Sequence, residues 1–244
     1  MDKSYFDGRA FEDMGIVVER VHDDLPEMRE DMEAKPGRHG SYVNSLTLGP
    51  KEILLECRYL GKDWADFDSL KDELAAWLVT GDDRKLVLRN HPEQYYMAHY
   101  QSFSEGDRVG GSGIGGFELS FTASDPIRYG EDRAYVLSGS VQKHFDVGGT
   151  DKPDMTMCVR GAVRDSSKGT WGITINGSAI RVPLTNNSAH TISLDCVNHI
   201  VRVDNKVSGL TIDSDWPTFE PGRWHCKIHQ GTGTVTFSWK QRYR

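Results

Sequence analysis

Between Gly116 and Gly130 the chain reads GFELSFTASDPIRYG, with Phe117, Leu119, Phe121 and Ala123 alternating with Glu118, Ser120, Thr122 and Ser124. A period of two sends successive side chains to opposite faces, which suits a strand with one face buried and one wet. Asp125-Pro126 ends it, because proline has no N–H for a ladder and biases the residue before it away from the helical region. Upstream lies a mixed segment with one convincing helical pattern. Downstream, short strand patterns follow one another to the end. The change of character predicts two domains, residues 1–130 and 131–244, with Ser124–Arg133 as the handover.

The first half opens with SYFDGRAF, a hairpin over Ser4–Phe11 turning on Asp7-Gly8, a favoured type I′ pair. Ile16–Val21 reads as a second short strand. Asp23–His39 is charged and broken by Pro26 and Pro36; an extended, solvated arm is expected, with a helical turn over Glu27–Ala34 as the alternative. Ile53–Leu60 is a strand with Ile53, Leu55, Cys57 and Tyr59 on one face. A helix follows over Phe67–Val79, capped by Asp66, with Phe67, Leu70, Leu74, Trp77 and Leu78 on one stripe facing the sheet. Leu86–Leu88 and Tyr95–Gln101 are further strands, and Gly106–Gly116 reads as a flexible loop. The second half predicts strands over Tyr135–Val141, Thr156–Arg160, Trp171–Ile175, Ala179–Pro183, Thr191–Leu194, Ile200–Val203, Trp224–His229 and Val235–Trp239, with tight turns at Asn176-Gly177 and Asp204-Asn205. Short strands with frequent turns argue for a sandwich or jelly roll of two antiparallel sheets.

Composition narrows the function. The net charge of −7 argues against a protein that grips nucleic acid phosphates. No apolar run approaches the roughly 20 residues of a membrane span, and MDKSYFDGRAF lacks the apolar core of a secretory leader, so synthesis in the cytoplasm is expected. The four cysteines, Cys57, Cys158, Cys196 and Cys226, form no CxxC pair and read as small buried hydrophobes. Gly111–Gly116 satisfies G-x-G-x-x-G but opens into a strand, where a dinucleotide site needs a helix N-terminus. In His225-Cys226-Lys227-Ile228-His229 a strand would put the histidines on one face and the cysteine on the other, which defeats a metal site. No nucleophile elbow, zinc-protease motif or P-loop is present, so no cofactor, metal or catalytic residue is expected.

The layout resembles the distal tail proteins (Dit) of long-tailed, non-contractile bacteriophages. The likeness rests on collinear motifs: the FDG hairpin, an arm ending near Pro36-Gly37-Arg38-His39-Gly40, ILLECRYL, DSLKDELAAWL, KLVLRN, FELSFTASDPIRYG, WPTFEPGRWHCKI and the closing GTVTFSWKQRYR. Arg223 stands where that ending usually has asparagine. The resemblance implies a mainly β protein: a split β-barrel with one helix, then a galectin-like, jelly-roll β-sandwich. It also implies a homohexameric ring at the distal end of the virion tail, joining the tail tube protein to a tip or baseplate protein and leaving a channel for DNA. On this reading Tyr5, Phe6, Arg9 and Phe11 of the hairpin and Arg29 and Arg38 of the arm contact neighbouring copies, because neither segment looks able to bury itself at home. The alternative is a sugar-binding module for host-surface saccharides, with Trp171, Trp216 and Trp224 stacking on sugar rings; a glycosidase ranks third.

Overall fold

The computed structural model describes residues 3–37, 39–60, 64–108 and 114–244. The chain divides into two compact units, residues 1–129 with Arg244, and Gly130–Tyr243.

The first unit contains β1 (Tyr5–Phe6), β2 (Arg9–Ala10), a 3-10 turn (Phe11–Met14), β3 (Ile16–His22), β4 (Met28–Ala34), β5 (Ser41–Leu48), β6 (Lys51–Leu60), α1 (Trp64–Leu78), β7 (Arg84–Val87), β8 (Tyr96–Arg108) and β9 (Ile114–Ala123). Seven strands form an open sheet in the order β2-β1-β7-β8-β9-β6-β3, while β4 and β5 pair only with each other. The opening alternation holds: Phe117, Leu119, Phe121 and Ala123 are buried beside Ile53, Leu55 and Cys57 of β6, and the α1 stripe of Phe67, Leu70, Leu74 and Leu78 joins the same core. The helix starts at Trp64, so Asp66 lies inside the first turn and not at the cap. A carboxylate there still complements the positive end of the helix dipole.

Two expectations fail here. The Ser4–Phe11 hairpin turns as foreseen, with positive φ at Asp7 and Gly8, but it does bury itself at home. Phe6 pairs with Leu86 of β7, and Phe6 and Phe11 are fully buried, with ring centroids 5.3 and 6.3 Å from Phe121. The short hairpin can bury itself because β7 lends it a ladder and α1 covers its aromatic rings. The glycine-rich loop is also shorter than expected. The β8–β9 ladder runs on to Arg108 opposite Gly115; Val109–Gly113 lie outside the described residues.

The second unit takes in β10 (Arg128–Ser138) from Gly130 onward, β11 (Lys143–Val147), β12 (Thr156–Val163), β13 (Thr170–Ile175), β14 (Ser178–Pro183), β15 (His190–Asp195), β16 (Ile200–Val203), β17 (Lys206–Ser208), β18 (Gly222–Gln230) and β19 (Thr232–Tyr243). Six strands order as β10-β19-β12-β15-β16-β17 and four as β11-β18-β13-β14. The inward residues of both sheets, among them Met157, Val159, Ile192, Leu194 and Phe237 from one and Ile173, Ile175, Ile180, Val182 and Ile228 from the other, form one core. This is a β-sandwich. Asn176-Gly177 and Asp204-Asn205 turn with positive φ, as the sequence requires.

Candidate interaction surfaces

The β4–β5 ribbon is the most unusual surface. Across it Met28 faces Leu48, Glu30 faces Leu46, Met32 faces Val43 and Ala34 faces Ser41, while a bulge between Asp31 and Met32 leaves Asn44 unmatched. Partners directly opposite share a face. Val43 and Leu46 are three residues apart and would point to opposite faces of a regular strand; the extra residue returns both to one side. One face therefore gathers the apolar residues, with Glu30 the one charge among them. Met28, Met32 and Val43 are each 52% exposed and Leu46 56%. The other face carries Arg29, Asp31, Glu33 and Tyr42, with the Lys35 ammonium 5.0 Å from the Tyr42 ring centroid. No helical turn forms over Glu27–Ala34, because Ser41–Leu48 supplies the backbone partners for a ladder.

A buried charge cluster holds both roots of this arm. Asp23 follows β3 and Lys51 opens β6; they form an ion pair with both side chains 7% exposed. Lys51 Nζ donates to Tyr96 Oη at 2.8 Å, and the Tyr96 hydroxyl donates to Asp23 Oδ1 at 2.8 Å. Arg128 Nη1 stands 3.7 Å from Asp23 Oδ2. Burial first, and then the Asp23 charge, push the Tyr96 hydroxyl far above the usual phenol range. The Gly49 N–H closes the neck by donating to Glu27 O at 2.7 Å. The arm leaves the sheet from a fixed base.

The predicted contact residues scatter. Tyr5 is half-buried in the ladder and Phe6 and Phe11 are core, so these aromatic rings are not offered to a partner. Arg9 is exposed, its guanidinium 5.3 Å from the Trp77 ring centroid and 3.9 Å from Glu73. Arg29 is exposed on the arm. Arg38 lies outside the described residues. The sugar platform of the alternative reading does not form. Trp171 has no exposed surface and Trp224 is 6% exposed, stacked on Phe219 at 4.6 Å. Only Trp216 reaches the surface, partly buried and stacked on His199 at 4.9 Å. Strand alternation explains this, since Trp171 and Trp224 share their faces with Ile173 and Cys226.

The outer face of the four-stranded sheet is polar. His225 and Lys227 are exposed and His229 half-buried, while Cys226 points inward. His144 lies opposite His225, their rings 5.8 Å apart. His229 Nδ1 bonds Thr174 Oγ1 at 3.0 Å. Burial, then the charges of Arg181, Lys168 and Lys227, hold its imidazole below the ordinary histidine range. Among the described residues no group of three or more His, Cys, Asp or Glu is placed to hold a metal ion.

One cluster mimics a hydrolytic triad. His190 Nδ1 meets Asp204 Oδ2 at 2.6 Å and its Nε2 lies 3.3 Å from Ser188 Oγ. Yet Asn186 Oδ1 accepts the Ser188 N–H at 2.9 Å and lies 2.9 Å from Nε2. The Ser188 hydroxyl donates to Asn186 and not to the imidazole, so it is not poised as a nucleophile. The cluster ties a turn together. The thiols are equally quiet: burial pushes Cys196 up to about 12 and Cys226 up to about 11.

Comparison with known proteins follows the same division of the chain. Residues 11–123 match the phage tail protein RIFT-related domain, and residues 160–243 match the siphovirus-type tail component, C-terminal domain. The two matches together span most of the sequence and define a structural component of a siphophage tail. The chain belongs to the siphophage distal tail protein family. Among solved structures, the crystal structure of the Dit protein of phage SPP1, described as a paradigm of hub adsorption apparatus in Gram-positive infecting phages, is similar over 99% of both chains with a TM-score of 0.73 at 18% identity. A chain of the phage p2 baseplate in its activated conformation with strontium aligns over 93% of this chain and 90% of its own, with a TM-score of 0.41 at 9% identity. No curated protein matches the chain in sequence. Among the described residues no helix is long and apolar enough to cross a membrane.

Proposed function

We propose that this distal tail protein assembles as a hexameric ring joining the tail tube to the tip or baseplate, and that it works as architecture without catalysis. The observation that carries the reading is the β4–β5 arm. A lone two-stranded ribbon is marginal in water, and this one has a row of half-exposed apolar side chains, each worth roughly 1 kcal/mol if covered. Its rigid base on Asp23 and Lys51 would let it project outward and not fold back. A ring built from one kind of subunit uses two different patches on each copy, and an arm meeting a neighbour's surface supplies such a contact. The net charge of −7 suits a wall past which DNA slides without sticking.

The test is the mass of the purified protein by native mass spectrometry with negative-stain images of the same sample. A species of six copies is expected for the wild type, and monomers for Met32→Glu with Leu46→Glu. A double variant that still closes into rings would exclude the arm's apolar face as the joint, and a wild type that stays monomeric at high concentration, with and without a tail tube partner, would exclude the ring.

A further inference from the structure

We propose that the outer face of β11, β18, β13 and β14 binds a phosphate-bearing anionic glycan, held by Lys227 and Arg223. The inference concerns the sandwich alone and stands whether or not the chain forms a ring.

The face follows from alternation. Because Trp171, Ile173 and Ile175 of β13 and Trp224, Cys226 and Ile228 of β18 fill the core, the residues between them must point outward. Register then assembles them: Lys227 lies beside Thr174, Gly172 beside Arg181, and Arg223 beside Asp146. Gly172 lets the His229 ring lie against the sheet, since a Cβ on it would come within 2.9 Å of that ring. A hollow here is lined by Gln142, Thr174, Asn176, Arg223, Lys227 and the histidines, with no carboxylate in that lining; Asp146 stands outside it, opposite Arg223 in the ladder. Asp213, at the edge, is spent on Arg181 at 2.8 Å.

In a chain of net charge −7, this hollow brings Lys227 and Arg223 together in one lining. Burial is the first cause of the lowered proton affinity of His229; the Arg181, Lys168 and Lys227 charges add to it and Asp213 opposes it. Guanidinium forks match phosphate oxygens, and the Thr174 hydroxyl with the Asn176 and Gln142 amides suits the hydroxyls of a sugar backbone. The face has no Trp, Tyr, Phe or large aliphatic anchor of the sort that carries protein interfaces. With Trp171 and Trp224 in the core, glycan recognition on this sheet is ionic and not by stacking.

The experiment titrates the full-length protein with poly(glycerol phosphate), polygalacturonate, neutral dextran and duplex DNA over a range of salt. Poly(glycerol phosphate) should bind most tightly, with an affinity that falls as salt rises. Lys227→Glu with Arg223→Glu should weaken it at least tenfold and flatten the salt slope by about 1.5, roughly 0.7 per lost cation. Lys206→Glu on β17 serves as the charge control and should change neither by more than twofold. Far-UV circular dichroism and the melting temperature establish that the double variant is folded; should it unfold, Lys227→Gln alone carries the test, with an expected loss of about threefold. Wild-type affinity in the charge-reversed protein would overturn the site. Equal binding of dextran would overturn the ionic mechanism, polygalacturonate as good would overturn the phosphate assignment, and tighter binding of DNA would overturn the glycan.

Discussion

Lys51→Met removes a positive charge from a site where the Asp23 and Lys51 side chains are each 7% exposed. Methionine keeps most of the lysine volume, so packing is nearly conserved while Asp23 is left as a buried carboxylate. Breaking one partner of a buried pair costs about 3–5 kcal/mol. Arg128, 3.7 Å from Asp23, and the Tyr96 hydroxyl, 2.8 Å away, still offer the carboxylate something, which places the loss near the lower figure. Hydrogen exchange read on peptides from β3, β6 and β9 reports this unit apart from the sandwich. A loss of about 3 kcal/mol corresponds to roughly 100-fold faster exchange in those strands. Asp23→Leu with Lys51→Met should recover most of that loss, because an apolar pair of similar volume often replaces a buried ion pair without cost. Acceleration below fivefold in the single variant would refute the reasoning, as would a double variant worse than the single.

Two further outcomes are expected in the sandwich. At Gly231 φ is +75° and an added Cβ would meet Val163 O at 2.2 Å, whereas Gly177 has φ +95° with open space around it; Gly231→Ala should therefore cost well over 2 kcal/mol in urea unfolding and Gly177→Ala about 1, strain without a clash, and equal losses would contradict the difference in crowding. Asp165 and Asp195 are held below the usual carboxylate range, first by hydrogen bonds from the side chains of Ser167 and Asn198. A depressed folded value means stability present above the unfolded value near 4 and lost as pH falls through the folded one. The sandwich melting temperature should thus drop with acid below about pH 4, and Asp165→Asn with Asp195→Asn should flatten that slope; an unchanged slope would show that these turns do not carry it.

What the sequence revealed and what it hid can be traced to particular residues. Period-two alternation placed β6, β9, β13 and β18, because each buries one face and the pattern of Ile53, Leu55 and Cys57 or Trp171, Ile173 and Ile175 cannot serve another element. The hairpin turns at Asp7-Gly8 and Asn176-Gly177 were legible because few residue pairs accept positive φ twice in succession. Burial of the first hairpin was not legible, since it depends on the distant partner strand β7. Nor was the triple of Asp23, Lys51 and Tyr96, which joins residues far apart in sequence and has no spacing to betray it.

The arm shows why hidden strands and exposed surfaces coincide. Ser41–Leu48 escaped the sequence reading because Val43 and Leu46 break period two, and the bulge at Asn44 is what breaks it. In a core strand a neighbouring sheet would resist such a shift, since one added residue sends every later side chain to the wrong face. On a ribbon with no second layer the insertion is tolerated, and here it gathers Met28, Met32, Val43 and Leu46 on one side at half exposure. A regular strand of the same composition would have divided those residues between two faces. The irregularity that concealed the element is thus the feature that gives it a single apolar face, and that face is what a docking surface on another chain would have to match.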